Sequence, residues 1–269
     1  MKGRLAQQAL ALPTLAARPD GADQGGWADA GRWEDGRRAA DAGLMADDGD
    51  RDEPLGAVEA RLIRQGVWPV IGTDEAGRGP LFGPVVAAAV MIEPAAAPVG
   101  LHDSKRLTEA EREALVPQIC ASASAFAVVA ADADRIGRDN ILRASLWAME
   151  QAVRAVLAQL EAKGLAPPRL LLVDGNRTIS ARGLPPQRTL VKGDARSIAV
   201  AAASVLAKVE RDRQLVALDA EFPGYGLARH KGYPTPEHLE ALRRLGPTRL
   251  HRRGFAPVDA AWAQRQASL

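Results

Sequence analysis

The sequence has few of the residues that support disulfides, aromatic cores or membrane insertion. Among its 269 residues there is one cysteine, Cys120, and only 4% are aromatic. A single cysteine excludes an intramolecular disulfide and a cysteine-rich zinc site. No run approaches the ~18 consecutive apolar residues of a membrane span. A signal peptide is the alternative at the N-terminus, but Gln7, Gln8 and Pro13 interrupt its apolar stretch. The sequence therefore predicts a cytoplasmic protein with no membrane partner.

The chain also lacks a large net charge, but its charges are unevenly distributed. The formal net charge is +2. Residues 1–66 carry 9 basic and 12 acidic side chains, whereas residues 225–269 carry 8 basic and 3 acidic ones. A basic C-terminal segment predicts a contact surface for a polyanion. A solvated helix face is the alternative that charge alone leaves open.

Residues 1–66 differ in composition from the rest of the chain. Residues 18–59 are rich in Gly, Asp, Arg and Ala without a helical or strand period, which is typical of a disordered or weakly structured extension. The charged run 47–53 is expected not to bury itself. A short helix is predicted from about Pro54 to Gln65. We therefore divide the chain into an extension (1–66), a central folded domain (67–224) and a basic helical segment (225–269) that packs on this domain.

The remainder predicts a mixed α/β sheet flanked by helices. Short apolar runs predict five strands, and helical spacing of apolar residues predicts two long helices. Three strands precede the first long helix, and strands then alternate with helices, which favours a mixed sheet with helices on its faces. The predicted strands are 67–73, 84–92, 125–131, 169–173 and 188–192, and the predicted helices are 140–163 and 197–221.

Four acidic residues lie at or near the ends of predicted strands: Asp74, Glu75, Asp174 and Asp194. In an open α/β sheet, ligands bind in the crevice beyond the strand ends. Carboxylates gathered there repel one another unless a cation lies between them, and hard oxygen ligands suit Mg²⁺ or Mn²⁺. Two such ions can activate water against a phosphodiester.

Each of these carboxylates also has a simpler interpretation. Asp174 can form a turn with Gly175 and Asn176, and Asp194 can cap the helix that begins near Ser197. Neighbouring residues of a strand point to opposite faces. Asp74 and Glu75 are therefore expected to share a site only if the chain bends directly after Asp74.

The turn after Asp74 and Glu75 strengthens the catalytic interpretation. Gly77 and Gly79 flank Arg78, and Pro80 follows. Glycines permit positive φ and close approach of the backbone to a ligand, and the arginine can reach a phosphate or a sugar edge.

The chain resembles ribonuclease HII, the bacterial type 2 ribonuclease H, from about residue 70 to residue 258. Six motifs in order carry the resemblance: IGTDEAGRGPLFGPVVAAAV from Ile71, HDSKRLT from His102, LLVDGN from Leu171, VKGDARSIAVAAASVLAKVERD from Val191, YGLARHKGYPTPEHL from Tyr225 and GPTRLHRRGFAPV from Gly246. Gly254 departs from the family pattern, which usually has serine there. The resemblance implies a ribonuclease H-like five-stranded sheet with a helical C-terminal appendage.

The resemblance also implies roles for individual residues. The acidic quartet Asp74, Glu75, Asp174 and Asp194 would bind divalent metal, Mg²⁺ or Mn²⁺, and drive hydrolysis. The implied substrate-binding residues are Gly77, Arg78, Gly79, Ser104, Lys105 and Tyr233. Tyr225 is the alternative to Tyr233 for contact with the sugar, and Lys192, Arg196 and Lys208 are further candidates for contact with the nucleic-acid backbone. Arg243, Arg244, Arg249, Arg252 and Arg253 are expected to contact phosphates.

The implied activity is metal-dependent endonucleolytic cleavage. The expected substrates are RNA–DNA hybrids and duplex DNA that contains single ribonucleotides, cut on the 5′ side of the ribonucleotide to leave 3′-hydroxyl and 5′-phosphate ends. We expect the protein to act as a monomer. The alternatives are a type 3-like ribonuclease H restricted to hybrid tracts and a non-catalytic hybrid-binding protein. The sequence GRGP and the acidic N-terminal extension favour type 2.

Overall fold

The computed structural model describes residues 14–15 and 52–267 and contains a six-stranded mixed sheet in the order β1-β4-β3-β2-β5-β6. β3 is antiparallel to both β2 and β4, whereas β5 is parallel to β2 and β6. The five predicted strands are confirmed, and β1 adds a two-residue edge strand parallel to β4. The strands are β1 (Thr14–Leu15), β2 (Val70–Ala76), β3 (Val85–Ile92), β4 (Ala123–Ala131), β5 (Leu170–Asp174) and β6 (Gln187–Leu190).

Helices cover both faces of the sheet. The two long helices are α4 and α6, one on each face, and both were predicted from apolar spacing. The capping box of Thr108 and Glu111, which follows from their spacing, opens α2. The helices of the described residues are α1 (Ala57–Arg64), α2 (Glu109–Ser122), α3 (Ala133–Asp139), α4 (Ile141–Ala162), α5 (Gly193–Arg196), α6 (Ile198–Glu221), α7 (Leu227–His230), α8 (Pro236–Leu245) and α9 (Ala256–Ala267), with a 3₁₀ turn at Pro94–Ala96. None of them is long and apolar enough to cross a bilayer.

The two-residue period of β3 divides the core between the two long helices. Val85, Ala87 and Ala89 belong to the apolar cluster beneath α4, whereas Val86 and Ala88 belong to the cluster beneath α6. All residues of β3 are buried, as expected of a strand covered on both faces. The consequence for the site is that each residue of neighbouring β2 can be assigned to one helix or the other.

Gly72 of β2 lets α6 approach the sheet closely. A Cβ atom at this position would lie 2.3 Å from the carbonyl carbon of Ala199, a distance that real Cβ atoms do not reach. The first turn of α6 therefore rests on the backbone of β2. This contact fixes the axis of α6 relative to the strand that carries Asp74 and Glu75.

The segment before β2 packs against the start of α6. The predicted extension falls mostly outside the described residues, but the helix predicted from Pro54 to Gln65 is confirmed as α1. The Glu53 side chain is 9% exposed and pairs with Arg61 and Arg196, both at 2.7 Å. The expectation that the charged run stays unburied is therefore wrong for Glu53, because the fully buried guanidinium of Arg196 holds it. Glu59 is also buried, and its Oε1 accepts hydrogen bonds from Ser197 Oγ at 2.6 Å and from the Ala199 amide at 3.1 Å.

The C-terminal segment forms three helices, α7 to α9. Thr235 caps α8 by accepting a hydrogen bond from the His238 amide, Pro236 occupies the first turn, and Gly246 ends the helix at φ 78°. Gly254, at φ 85°, suits its turn because glycine adopts this conformation without strain.

Replacing Glu59 by Gln should alter how stability depends on pH. Burial raises the pKa of Glu59 above 4.5, although the hydrogen bonds from Ser197 and Ala199 act in the opposite direction. The wild-type side chain is therefore protonated in the folded state at pH values where the unfolded chain has lost the proton. Its contribution to stability is complete below pH 4.5 and is lost as pH rises through the folded-state pKa.

Glu59→Gln cannot lose a proton, so its stability relative to wild type should rise as pH increases from 4.5 through the folded-state pKa of Glu59. Urea unfolding at several pH values measures this difference, with Glu161→Gln on the exposed face of α4 as the control. Parallel stability curves for Glu59→Gln and wild type would contradict the expectation.

Candidate active site

The four acidic residues lie near one edge of the sheet. Asp74 and Glu75 are at the carboxyl end of β2, Asp174 is the last residue of β5, and Asp194 is in α5, just after β6. β2 and β5 are parallel and pair Thr73 with Val173, so the residues after this pair, Asp74 and Asp174, are neighbours across the two strands. This edge is where an open α/β sheet binds ligands.

Asp74 and Glu75 reach the site from opposite faces of β2. Asp74 pairs with Ala88, whose side chain lies beneath α6, and Glu75 pairs with Ala87, beneath α4. β2 continues to Ala76, so the strand does not end or turn directly after Asp74. Both carboxylates nevertheless interact electrostatically with Asp174, because Asp174 ends its strand and is reached from either face.

Burial and mutual repulsion raise the pKa values of three of these carboxyls. The pKa of Asp74 is raised well above 3.8 by burial, then by the charges of Asp174 and Glu75. Burial also raises the pKa of Glu75, an effect opposed by Arg78, and burial followed by the charge of Asp194 raises that of Asp174. Such shifts indicate a site with too little positive charge for its carboxylates.

Lys105 and Ser104 connect their loop to the acidic residues. Lys105 Nζ lies 2.9 Å from Asp194 Oδ2. Burial lowers the pKa of Lys105, but the hydrogen bond with Asp194 and the charges of Asp194, Asp103 and Asp74 together outweigh burial, and the net pKa is raised. Ser104 is buried and its Oγ lies 2.8 Å from Ser204 Oγ.

Ser204 of α6 is a site residue that the sequence reasoning missed. Its side chain hydrogen-bonds Asp74 and lowers the pKa of this carboxyl, against the stronger effects of burial and repulsion. It is buried and also hydrogen-bonds Ser104, so it connects Asp74 to the loop of Ser104. The available signal was a single hydroxyl within the alanine-rich run of α6, on the face that packs against β2.

The glycine–arginine–glycine turn lies against Tyr233. A Cβ atom at Gly79 would be 3.4 Å from the Tyr233 ring, whereas one at Gly77, where φ is 93°, would be 1.9 Å from Arg211 Nε. Arg78 is half exposed, with Nη1 3.3 Å from Glu75 Oε1. Position 77 therefore requires glycine, both because a Cβ atom has no space there and because φ is positive. The turn, Tyr233 and Glu75 form one continuous surface.

The structure separates the two tyrosine candidates. Tyr233 is 41% exposed, whereas Tyr225 is 5% exposed and its hydroxyl donates to the Gly246 carbonyl at 2.5 Å. Nearby, His230 Nδ1 accepts from the Gly232 amide and Nε2 bonds the Tyr225 carbonyl. His230 therefore shapes the turn before Tyr233.

Two of the basic side chains predicted to contact phosphate are buried instead. Arg196 is 0% exposed and pairs with Glu53, and Arg252 is 0% exposed and donates to backbone carbonyls. The predictions for these two residues are wrong, because each guanidinium is needed by buried acceptors. Lys192 and Lys208 pair with Asp52 and Asp212 respectively.

The four carboxylates are suitable ligands for a divalent cation, but in their present positions they do not enclose one. Within the described ranges, no three acidic, histidine or cysteine side chains are close enough together to enclose a metal ion as they stand. Asp194 is engaged by Lys105, and the raised pKa values of Asp74 and Asp174 reflect repulsion that a cation would offset. The residues therefore fit a hard cation such as Mg²⁺ or Mn²⁺ in charge and ligand type.

Comparison with solved structures supports the fold. The ribonuclease H2 of Pyrococcus horikoshii aligns with a TM-score of 0.59 and 25% identity, over 73% of this chain and 98% of that one. The ribonuclease HII of Archaeoglobus fulgidus, solved in a complex with PCNA, aligns with a TM-score of 0.55 and 26% identity, over 72% and 96%. Bst ribonuclease HIII in complex with Mn²⁺ has a TM-score of 0.62 over 86% and 81%, but at 21% identity it shows a shared fold alone.

Comparison of sequences identifies the family. The family model of ribonuclease HII matches residues 71–258. The ribonuclease HII of Rhodopseudomonas palustris strain BisA53 is 53% identical over 206 residues, which cover 76% of this chain and 69% of the relative. The ribonuclease HII of Bradyrhizobium diazoefficiens is also 53% identical over 206 residues, 77% of this chain and 75% of the relative. The chain therefore belongs to the ribonuclease HII family of ribonuclease H enzymes.

Proposed function

We propose that this ribonuclease H enzyme is an endonuclease that cuts the RNA strand of RNA–DNA hybrids and cuts duplex DNA on the 5′ side of a single embedded ribonucleotide. Hydrolysis would leave 3′-hydroxyl and 5′-phosphate ends. The observation that carries the proposal is the neighbouring position of Asp74 and Asp174, at the ends of paired parallel strands, beside the turn of Gly77, Arg78 and Gly79.

Asp74, Glu75, Asp174 and Asp194 would hold the divalent metal, Mg²⁺ or Mn²⁺. When bound, such a cation offsets the charge that develops on the phosphate and makes water a stronger nucleophile. The ordered sheet edge brings these carboxylates together, and Ser204 orients Asp74 from α6 through a hydrogen bond. Burial of Asp74 strengthens its electrostatic interactions by excluding water.

The residues beside the acidic cluster would select the substrate. Gly77, Arg78 and Gly79 would lie along the ribose of the ribonucleotide, where the 2′-hydroxyl distinguishes RNA from DNA. Tyr233 would pack on the adjacent sugar, which its exposure permits. Lys105, whose side chain is 78% exposed, would contact the phosphate at the cleavage position, whereas buried Ser104 would line the site through its hydrogen bond with Ser204.

The remaining exposed arginines of the C-terminal segment would position the duplex. Arg243, Arg244, Arg249 and Arg253 are exposed, and phosphate contacts of this kind hold a duplex without reading its sequence. Binding should therefore weaken as salt rises. We propose that the enzyme acts as a monomer in the cytoplasm.

Two duplexes with the same sequence distinguish the proposal from its alternatives. One contains a single ribonucleotide in DNA, and the other is an RNA–DNA hybrid. Cleavage of both supports the proposal, whereas cleavage of the hybrid alone indicates type 3-like specificity. Binding without cleavage of either duplex, with Mg²⁺ and with Mn²⁺, would show a non-catalytic hybrid-binding protein.

Asp74→Asn should abolish most of the cleavage while the fold is retained. Asn keeps the size of the side chain but removes the charge that would hold a cation, so we expect kcat to fall at least about 10²-fold. Because burial and repulsion raise the pKa of Asp74, removing its charge should not lower the melting temperature. Asp134→Asn, in the exposed first turn of α3, is the matched control. Activity within a few-fold of wild type would place the metal site elsewhere.

Lys105→Met should strengthen the binding of divalent metal. Lys105 Nζ competes for Asp194 Oδ2 at 2.9 Å, and its removal leaves a more negative site. Because the Lys105 side chain is largely exposed, solvent screens this effect, and we expect the Kd for Mn²⁺ to fall by only about 2- to 5-fold. Isothermal titration calorimetry measures the change, with Lys163→Met as a charge-matched control. Unchanged or weaker Mn²⁺ binding by Lys105→Met would contradict the assignment of Asp194 to the metal site.

A further inference from the structure

In the loop that begins within the glycine–arginine–glycine turn, nearly all of the carbonyl oxygens accept hydrogen bonds. We define this carbonyl loop as residues 78–84. The donors of these hydrogen bonds belong to α6 and to the C-terminal segment. The accepting carbonyls are those of Arg78, Pro80, Leu81, Phe82, Gly83 and Pro84.

Arg252 provides most of these hydrogen bonds from inside the C-terminal segment. Its guanidinium donates to the carbonyls of Gly83 and Pro84 at 2.7 Å and of Pro80 at 2.8 Å. A longer bond of 3.3 Å reaches the Arg78 carbonyl, within the turn itself. The side chain is 0% exposed, so its planar donor groups are fully committed to the loop.

Arg211 of α6 joins the carbonyl loop to the turn and to Tyr233. Its guanidinium donates to the carbonyls of Pro84 at 3.2 Å and Lys231 at 2.9 Å, and Lys231 is two residues before Tyr233. The guanidinium also lies 5.9 Å from the centre of the Tyr233 ring. Gly77 packs directly on this side chain, because a Cβ atom there would overlap Arg211 Nε.

The acceptors of both guanidinium groups are neutral carbonyls. Burial lowers the pKa of Arg211 to about 10 and that of Arg252 to about 9, and the charge of Arg211 contributes to the second shift. Both side chains therefore stay protonated at neutral pH. Burying two cations costs free energy, and well-packed apolar side chains often fill such a volume at lower cost. The advantage of arginine is its rigid fork of donors, which fixes several carbonyls at once.

We propose that Arg211 and Arg252 are positioning residues for ribonucleotide recognition, which together set the distance between the Gly77–Gly79 turn and Tyr233. Neither side chain is exposed to substrate, and both act through the backbone of the carbonyl loop and of the Lys231–Tyr233 turn. The two arginines share the Pro84 carbonyl, so they hold one structural unit. This inference rests on the proposed function, because it assigns the turn and Tyr233 to the ribose.

Arg211→Lys and Arg252→Lys test the proposal while the positive charge is kept. Lysine cannot reproduce the fork, so the turn should shift by a fraction of an ångström to an ångström. Misplacement of this size costs up to about 10²-fold in rate. With the single-ribonucleotide duplex, we expect kcat to fall about 10- to 100-fold and KM to change less than about 3-fold, because phosphate contacts elsewhere supply the affinity.

The matched control is Arg213→Lys, two residues along α6, where the side chain pairs with Glu113 at the surface. Its kcat should stay within about 2-fold of wild type. All rates are expressed per folded molecule, from the unfolding curve of each variant. If Arg211→Lys and Arg252→Lys keep the wild-type kcat per folded molecule, the arginines serve stability alone and the proposal is overturned.

The double variant tests whether the two arginines hold the same unit. If they do, the first substitution already releases the carbonyl loop, and the combined loss in kcat should be smaller than the product of the two single losses. A loss equal to that product would mean that the two arginines act on separate elements, which overturns the proposal of one shared unit.

Amide hydrogen exchange tests the positioning without relying on activity. In wild type, the amides of Leu81 and Gly83 donate to the carbonyls of Gly232 and Leu250 and should be protected. Each lysine variant should lose at least about 10-fold of this protection, whereas α4 should be unchanged. Unchanged exchange at residues 78–84 overturns the positioning role. Faster exchange at these residues, together with a wild-type protein that cuts neither duplex, would overturn the proposed function and leave the positioning of the loop established.

Discussion

Helix α6 lies along β2, and its contacts there connect the three parts of the site. Ser197, Ser204 and Arg211 follow one another at seven-residue intervals, about two helical turns, so they lie on one face. Ser197 hydrogen-bonds Glu59, Ser204 hydrogen-bonds Asp74, and Arg211 packs against Gly77. This alignment depends on Gly72, because any side chain there would push the first turn of α6 away from β2.

The site contains two groups of buried charges, one acidic and one basic. At the sheet edge, Asp74, Glu75 and Asp174 have raised pKa values because burial and repulsion disfavour their charges. Arg211 and Arg252, which hold the carbonyl loop, are buried cations whose pKa values are lowered by burial. The arginines are stabilised by the dipoles of loop carbonyls, whereas the hydrogen bonds that the carboxylates accept do not offset burial and repulsion. The loop is therefore fixed within the protein, and the carboxylates retain capacity for a cation.

The segments at the two ends of the described chain contribute to the site from a distance. Glu53 holds Arg196 of the short helix α5, which also carries Asp194, and Glu59 holds the first turn of α6. Arg252 holds the carbonyl loop from the other side. Composition placed Glu53 and Glu59 in a weakly structured extension, whereas Arg196 and Arg252 were expected to contact the nucleic-acid backbone. Both inferences failed because a charged side chain looks the same in a sequence whether it is solvated or buried with a partner.

The sequence by itself determined the five main strands, the two long helices and the capping box of α2, because apolar periodicity and capping chemistry are local properties. It also determined the acidic residues and the glycine–arginine–glycine turn, through motifs that lie at strand ends. Only the tertiary structure decided that Asp74 and Glu75 reach the same edge from opposite faces, that Ser204 hydrogen-bonds Asp74, and that Tyr233 rather than Tyr225 is exposed beside the turn. It also decided that Arg211 and Arg252 are internal. These features depend on contacts between residues far apart in the chain, and on burial, which changes the energy of a charge and is set only when helices and strands pack.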